Sequence, residues 1–257
     1  MNIRSPYPPD EPDDDLYASR GRPPFPEEIP AEAEVEETVE GDGEPVEYRG
    51  AGSDPTFGFI VAVGVSLGMT PLIPDHTDLR FVAAWGVLAF FGVLAWLLGR
   101  MTRIQRETAD NLIWGVIFGA IIGAPLLAVA GSALATMADL LFRSSIDGQI
   151  RSLSVGSALA LVVFVQPLAE TLFFRGMFQE NRPFVLVALL ATVWSILLFF
   201  PLLDIGQFPL VGVVIGTALL MMNLIYSYVR LRNGLAAAWL CQITLNVILL
   251  FLPYISN

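Results

Sequence analysis

The chain has 257 residues, of which 54% are hydrophobic and 15% charged, and its mean hydropathy is +0.63. That composition excludes an ordinary soluble domain and reads as an all-α, polytopic membrane protein. The formal charge of −11 is a property of one end, because sixteen of the 25 acids and four of the 14 basic residues lie before residue 55; all fourteen are arginine.

Residues 1–54, typified by "EPDDDLYASRGRPPFPEEIPAEAEVEETVEGDGEP", are rich in proline, glycine and acid and bury too little apolar surface to offset the entropy of ordering. They are expected to form a disordered acidic tail, a solvating extension or an electrostatic contact for a basic partner. The N-terminus lacks the basic segment and short apolar run of a signal peptide, so an internal segment is expected to direct insertion.

Residues 55–257 form the expected transmembrane domain. About seven apolar stretches of spanning length follow one another at 56–74, 81–99, 111–142, 153–178, 184–202, 208–229 and 234–254, since a membrane helix needs roughly 20 residues. The third is long enough to be tilted, and Gly123 and Pro125 are expected to break it. The linker "RMTRIQRETADN" carries Arg100, Arg103 and Arg106 and is therefore expected on the cytoplasmic side. The tail, Arg175, Arg182, Arg230 and Arg232 then face the same side, while Arg80, Arg143 and Arg151 fall in outer loops.

Polar residues inside the spans carry the functional signal. Glu170, in "QPLAETLFFRGMFQE", is an acid at membrane depth, about 12 Å from the cytoplasmic end of its helix, and such a group is costly unless paired, hydrated or neutralised. Pro167 removes a backbone N–H and is expected to free the carbonyl of Val163 beside it. Gln166, four residues before Glu170, shares its face. On ordinary α-helical geometry Arg175 stands about 140° away from Glu170, with Thr171 on its own face. In the last span Gln242 and Asn246 present two amides on one stripe, either as glue between helices or as the lining of a site. Ser195, Thr217 and Asn223 read as isolated packing residues.

Other chemistries find little support. His76 is the single histidine and sits in the loop "PLIPDHTDLR" between Asp75 and Asp78; a zinc site needs three or four converging ligands. Cys241, also single, excludes an intramolecular disulfide and reads as a small core residue. No phosphate loop, nucleophile elbow or H-E-x-x-H helix is present. No cofactor, metal site or nucleic-acid partner is expected.

The block "PLAETLFFRG", residues 167 to 176, resembles the first motif of the CAAX protease and bacteriocin-processing enzymes, an intramembrane endopeptidase family that includes the CAAX prenyl endopeptidases and the abortive-infection membrane proteins. Glu170 matches the first of the family's two adjacent glutamates, Arg175 its arginine, Gly176 the following glycine and Pro167 an upstream proline. "QITLN" matches the last motif through Asn246. The resemblance covers about residues 110–255.

It implies a glutamate that activates water against a peptide bond within the membrane, with Glu170, Arg175, Gln242 and Asn246 as site residues, a lipidated peptide or membrane protein as substrate or partner, and a bacterial plasma membrane as location with the N-terminus cytoplasmic. Three departures weaken the catalytic set. Thr171 stands at the second glutamate and Gln242 at the last motif's histidine, and no histidine fits the middle motif. Asp204, the nearest counterpart there by spacing, falls at the far end of its helix. Weakened peptidase, non-catalytic descendant that binds a membrane partner, and transporter therefore stand as the readings of the sequence.

Overall fold

A computed structural model describes residues 55–72, 77–98, 107–146, 149–202 and 209–256. The acidic tail, His76, Asp204 and the arginines of the 99–106 linker lie outside the described residues. Seven helices make up the membrane domain: α1 (Pro55–Leu72), α2 (Thr77–Leu97), α3 (Ala109–Leu141), α4 (Val155–Asn181), α5 (Phe184–Phe199), α6 (Pro209–Asn233) and α7 (Leu235–Ser256). Six are long and apolar enough to cross a membrane; α5 has 16 α-helical residues, followed by a 3-10 turn at Phe200–Leu202. The chain is an integral membrane protein. Its lipid-facing surface carries large apolar side chains such as Ile60, Phe90, Ile121 and Val129, as a bilayer solvent requires.

Two expectations about the chain's course are corrected, and the connection between α3 and α4 takes a definite form. The break in α3 falls at Ala130, where φ is −116° and ψ is 15°, while Gly123 and Pro125 stay within the helix. A proline's steric clash reaches the carbonyl four residues earlier, so Pro125 does not account for a break five residues after it; nothing else in the structure does. Arg80, read as a loop residue, lies in the first turn of α2, is 3% exposed and gives an N–H to the carbonyl of Leu198 on α5. The stretch around Arg143 and Arg151 is a β-hairpin, β1 (Arg143–Ile146) paired antiparallel with β2 (Gln149–Ser152).

The bundle is closed by α3 lying along α7 and by α5 lying along α6. The first contact depends on glycine. A side chain at Gly115 would collide with the carbonyl of Ala237, one at Gly119 would come within 2.7 Å of Thr244 and 2.8 Å of the Cys241 carbonyl, and one at Gly123 would touch Ile248 at 3.1 Å. Small residues at this spacing let two membrane helices approach to backbone contact, where dispersion replaces the missing hydrophobic drive. The neighbours at Gly115 and Gly119 include backbone, which cannot swing aside.

Glu107, just before α3, anchors the start of the neighbouring α7. Its Oε1 accepts from the N–H of Ala236 and its Oε2 from the N–H of Ala237, both at 3.0 Å, which satisfies two of the free donors of a helix N-terminus and places negative charge at its positive end. Gly234 turns the chain there at φ +101°, and a side chain at that position would strike the Glu107 carboxylate.

These contacts set two expectations. Gly115→Val forces α3 and α7 apart and lowers stability by about 2 kcal/mol or more, whereas Gly131→Ala, with open space at its Cβ, leaves it unchanged or raised; unfolding in mixed micelles measures both. Glu107→Ala costs about 1 kcal/mol on the same assay.

Candidate functional site

The winding of α4 sets the site. Leu161–Val165 and Thr171–Phe178 are π-helical, closed by i→i+5 bonds, and between them runs the short α-helical piece Gln166–Glu170. Such wide turns are uncommon and frequent at functional sites. The first one accommodates Pro167: the N–H of Gln166 reaches back to Leu161, and the next carbonyl in that register, Val162, has no N–H to receive from the proline. Asn246 of α7 supplies the missing donor, its Nδ2 lying 3.3 Å from the Val162 oxygen. The carbonyl freed by Pro167 is thus that of Val162, one residue before the Val163 expected from α-helical geometry.

Glu170 follows at 3% exposure, and its carboxylate accepts from three side chains on three helices. Trp85 Nε1 of α2 donates to Oε1 at 3.1 Å, Gln166 Nε2 donates to the same oxygen at 3.4 Å, and Gln242 Nε2 of α7 donates to Oε2 at 2.6 Å. The Gln242 amide is held in that sense because its oxygen accepts from Thr171 Oγ1 at 3.0 Å. Thr171, at the place of the second glutamate, therefore acts as a neutral spacer that turns an amide nitrogen toward the acid. A carboxylate needs such charge-assisted bonds at membrane depth, where no bulk water is available.

Arg175 is fully buried and is closer to Glu170 than α-helical geometry predicts. In an i→i+5 turn residue 175 comes round over residue 170, and Arg175 Nη1 donates to the Glu170 backbone carbonyl at 3.4 Å. Its other terminal nitrogen, Nη2, donates to Asn223 Oδ1 of α6 at 2.6 Å. The guanidinium also lies over the rings of Tyr226, 5.0 Å from the centroid, and Phe174, at 5.7 Å, a cation–π setting that replaces part of its hydration. Arg230 Nε closes the inner end by donating to the Arg175 carbonyl at 3.2 Å. Asn223, read from sequence as isolated packing, is the residue that holds this cation, while Thr217 is exposed and bonds only within its own helix.

Beside this network lies a cavity of about 300 Å³. Glu170, Gln166, Gln242, Asn246, Asn223 and Tyr226 form its polar floor, Ser195 borders it, and apolar residues of α3, α5, α6 and α7 complete its walls. Three of the four site residues expected from sequence, Glu170, Gln242 and Asn246, line the cavity; Arg175 stands behind Tyr226 and Asn223. Among the described residues no group of three His, Cys, Asp or Glu side chains converges to hold a metal ion. Sequence reading missed Trp85, Asn223 and Tyr226. An asparagine in an apolar helix was a visible signal for Asn223, whereas nothing local distinguishes Trp85 from a packing tryptophan.

No curated protein and no solved structure matches the chain. The matched family segment runs from the end of the hairpin into α7 and contains every residue of the polar floor, with Trp85 alone among the Glu170 donors outside it. Residues 152–248 match the model of the family described as type II CAAX prenyl endopeptidase Rce1-like, the CAAX protease family that the Pro167–Gly176 block resembles.

Proposed function

We propose that this CAAX-protease-like membrane protein uses its acid-floored cavity to bind a ligand from the membrane and does not cleave it, in a bacterial plasma membrane with the arginine-bearing helix ends cytoplasmic. The observation that carries the reading is the occupancy of Glu170: Trp85, Gln166 and Gln242 all present N–H groups to its two oxygens. A general base needs a partner to pass the proton toward the leaving amine. Here the donors on Glu170 are two amides and an indole, and neither exchanges protons near neutral pH as an imidazole does. The parts of a catalytic constellation act as a unit, so loss of several members removes more than their separate effects.

Glu170 in this reading is the anchor of a polar network that fixes α2, α4 and α7 around the cavity. Glu170→Gln keeps the shape but turns an NH2 group toward one set of donors, and should lower stability by about 1–3 kcal/mol, read by unfolding in mixed micelles. The functional test is incubation of the reconstituted protein with membrane-embedded and lipidated peptides. No cleavage is expected from the wild type. Turnover that Glu170→Gln abolishes would overturn the non-catalytic reading and establish a glutamate-only peptidase, which the cavity's contact with Glu170, Gln242 and Asn246 favours as the second reading.

A further inference from the structure

The cavity is one-sided along the membrane normal. The hairpin end of the bundle holds the start of α2, α4 and α6 and the end of α3, α5 and α7; the opposite end holds Arg182, Arg230 and Arg232. From α3 only residues 126–137 line the cavity, all in the half nearer the hairpin, and from α6 the lining begins at Leu210 in its first turn. The floor at Glu170 lies near the middle of α4. The space therefore rises from mid-membrane toward the hairpin side.

Its outer walls face lipid. Val129, at the break in α3, is 88% exposed, and Leu210 on α6 is 76% exposed, with Val214 one turn further in also exposed. Lining residues that are at the same time lipid-facing mark a lateral slot between α3 and α6. Apart from Ser132 and Ser195, the residues that line the cavity above the floor are apolar, among them Val129, Ala133, Met137, Leu210, Val214 and Ala218.

The walls discriminate between kinds of occupant. An extended peptide brings an N–H and a C=O about every 3.3 Å, and apolar walls leave those groups unsatisfied at a cost of several kcal/mol each. An alkyl chain brings no such groups. At the floor spare valences of both kinds remain: Asn246 gives one N–H to Val162 and keeps its second N–H and its amide oxygen, and Glu170 Oε2 accepts from Gln242 with a second lone pair left over. A carboxylate head group would meet Glu170 as a like charge.

Building on the binding reading above, we propose that the ligand is a single-chain amphiphile with a neutral head that both donates and accepts hydrogen bonds, a fatty alcohol or primary fatty amide, that enters sideways between α3 and α6 from the leaflet on the hairpin side. The head rests against Asn246 and Glu170, and the chain lies along the slot.

The test uses the full chain in vesicles containing a fatty alcohol that carries a photoreactive diazirine, with labelled peptides identified by mass spectrometry. Labelling of residues 126–137 and 210–222 is expected to exceed that of the lipid-facing sides of α1 and α5 at least tenfold. Excess unlabelled fatty alcohol competes with it and the matching alkane does not. Val214→Trp and, separately, Ala133→Leu cut slot labelling about tenfold, while Val185→Trp, on the lipid face of α5, does not; thermal unfolding confirms that each variant folds. Even labelling of all lipid-facing helices, competition by the alkane equal to that by the alcohol, or slot labelling by a photoreactive hydrophobic peptide that the alcohol fails to displace overturns the proposal. Slot labelling in protein that also cleaves peptides retains the slot and removes only the non-catalytic reading. Diffuse labelling in protein that cleaves nothing removes the slot alone.

Discussion

A carboxylate at 3% exposure in the middle of a membrane helix is stable only if the surrounding chains supply what water would have given it, and the arrangement of α2, α4 and α7 follows from that requirement. Trp85 approaches from one side and Gln242 from the other, while Gln166 contributes from the turn before. Thr171 completes the set by fixing the Gln242 amide. The site is consequently a junction of three helices whose relative positions are set by four polar side chains in an otherwise apolar bundle.

The wide turns of α4 make this junction possible. An α-helix through Pro167 would leave an unsatisfied carbonyl facing lipid or core; the π turn shifts the register by one residue and lets Asn246 reach Val162. The second wide turn swings Arg175 over Glu170 and into the grip of Asn223 and Tyr226. Acid and cation are brought close through the backbone carbonyl of residue 170, so the buried charges are balanced without the carboxylate being drawn away from the cavity. The same geometry leaves the floor rich in amides and poor in titratable groups, which is why it suits binding better than proton transfer.

Packing elsewhere holds the junction open on one side. The glycine face of α3 allows it to lie against α7 at backbone contact up to Gly123, and past the break at Ala130 its second half borders the slot that faces α6. Glu107, just before α3, secures the start of α7 at the other end of the same helix pair.

Much of the fold was legible in the sequence, for a simple reason: spanning length and apolar composition are local properties, and seven stretches announce seven helices. Glu170, Gln242 and Asn246 were legible on the same ground, since a polar residue in an apolar span stands out without any knowledge of its neighbours, and the Pro167–Gly176 block carries a family pattern within ten consecutive residues. What only the tertiary structure decided concerns register and partners. The angle between Glu170 and Arg175 follows from i→i+5 winding, which α-helical periodicity does not contain. Asn223 looks like packing until Arg175 is placed against it, and Trp85 looks like any buried tryptophan until α2 sets its N–H on an acid 85 residues away. The side on which the cavity opens belongs to the same class. Such features depend on distances between segments far apart in the chain, and no local pattern of residues encodes a distance.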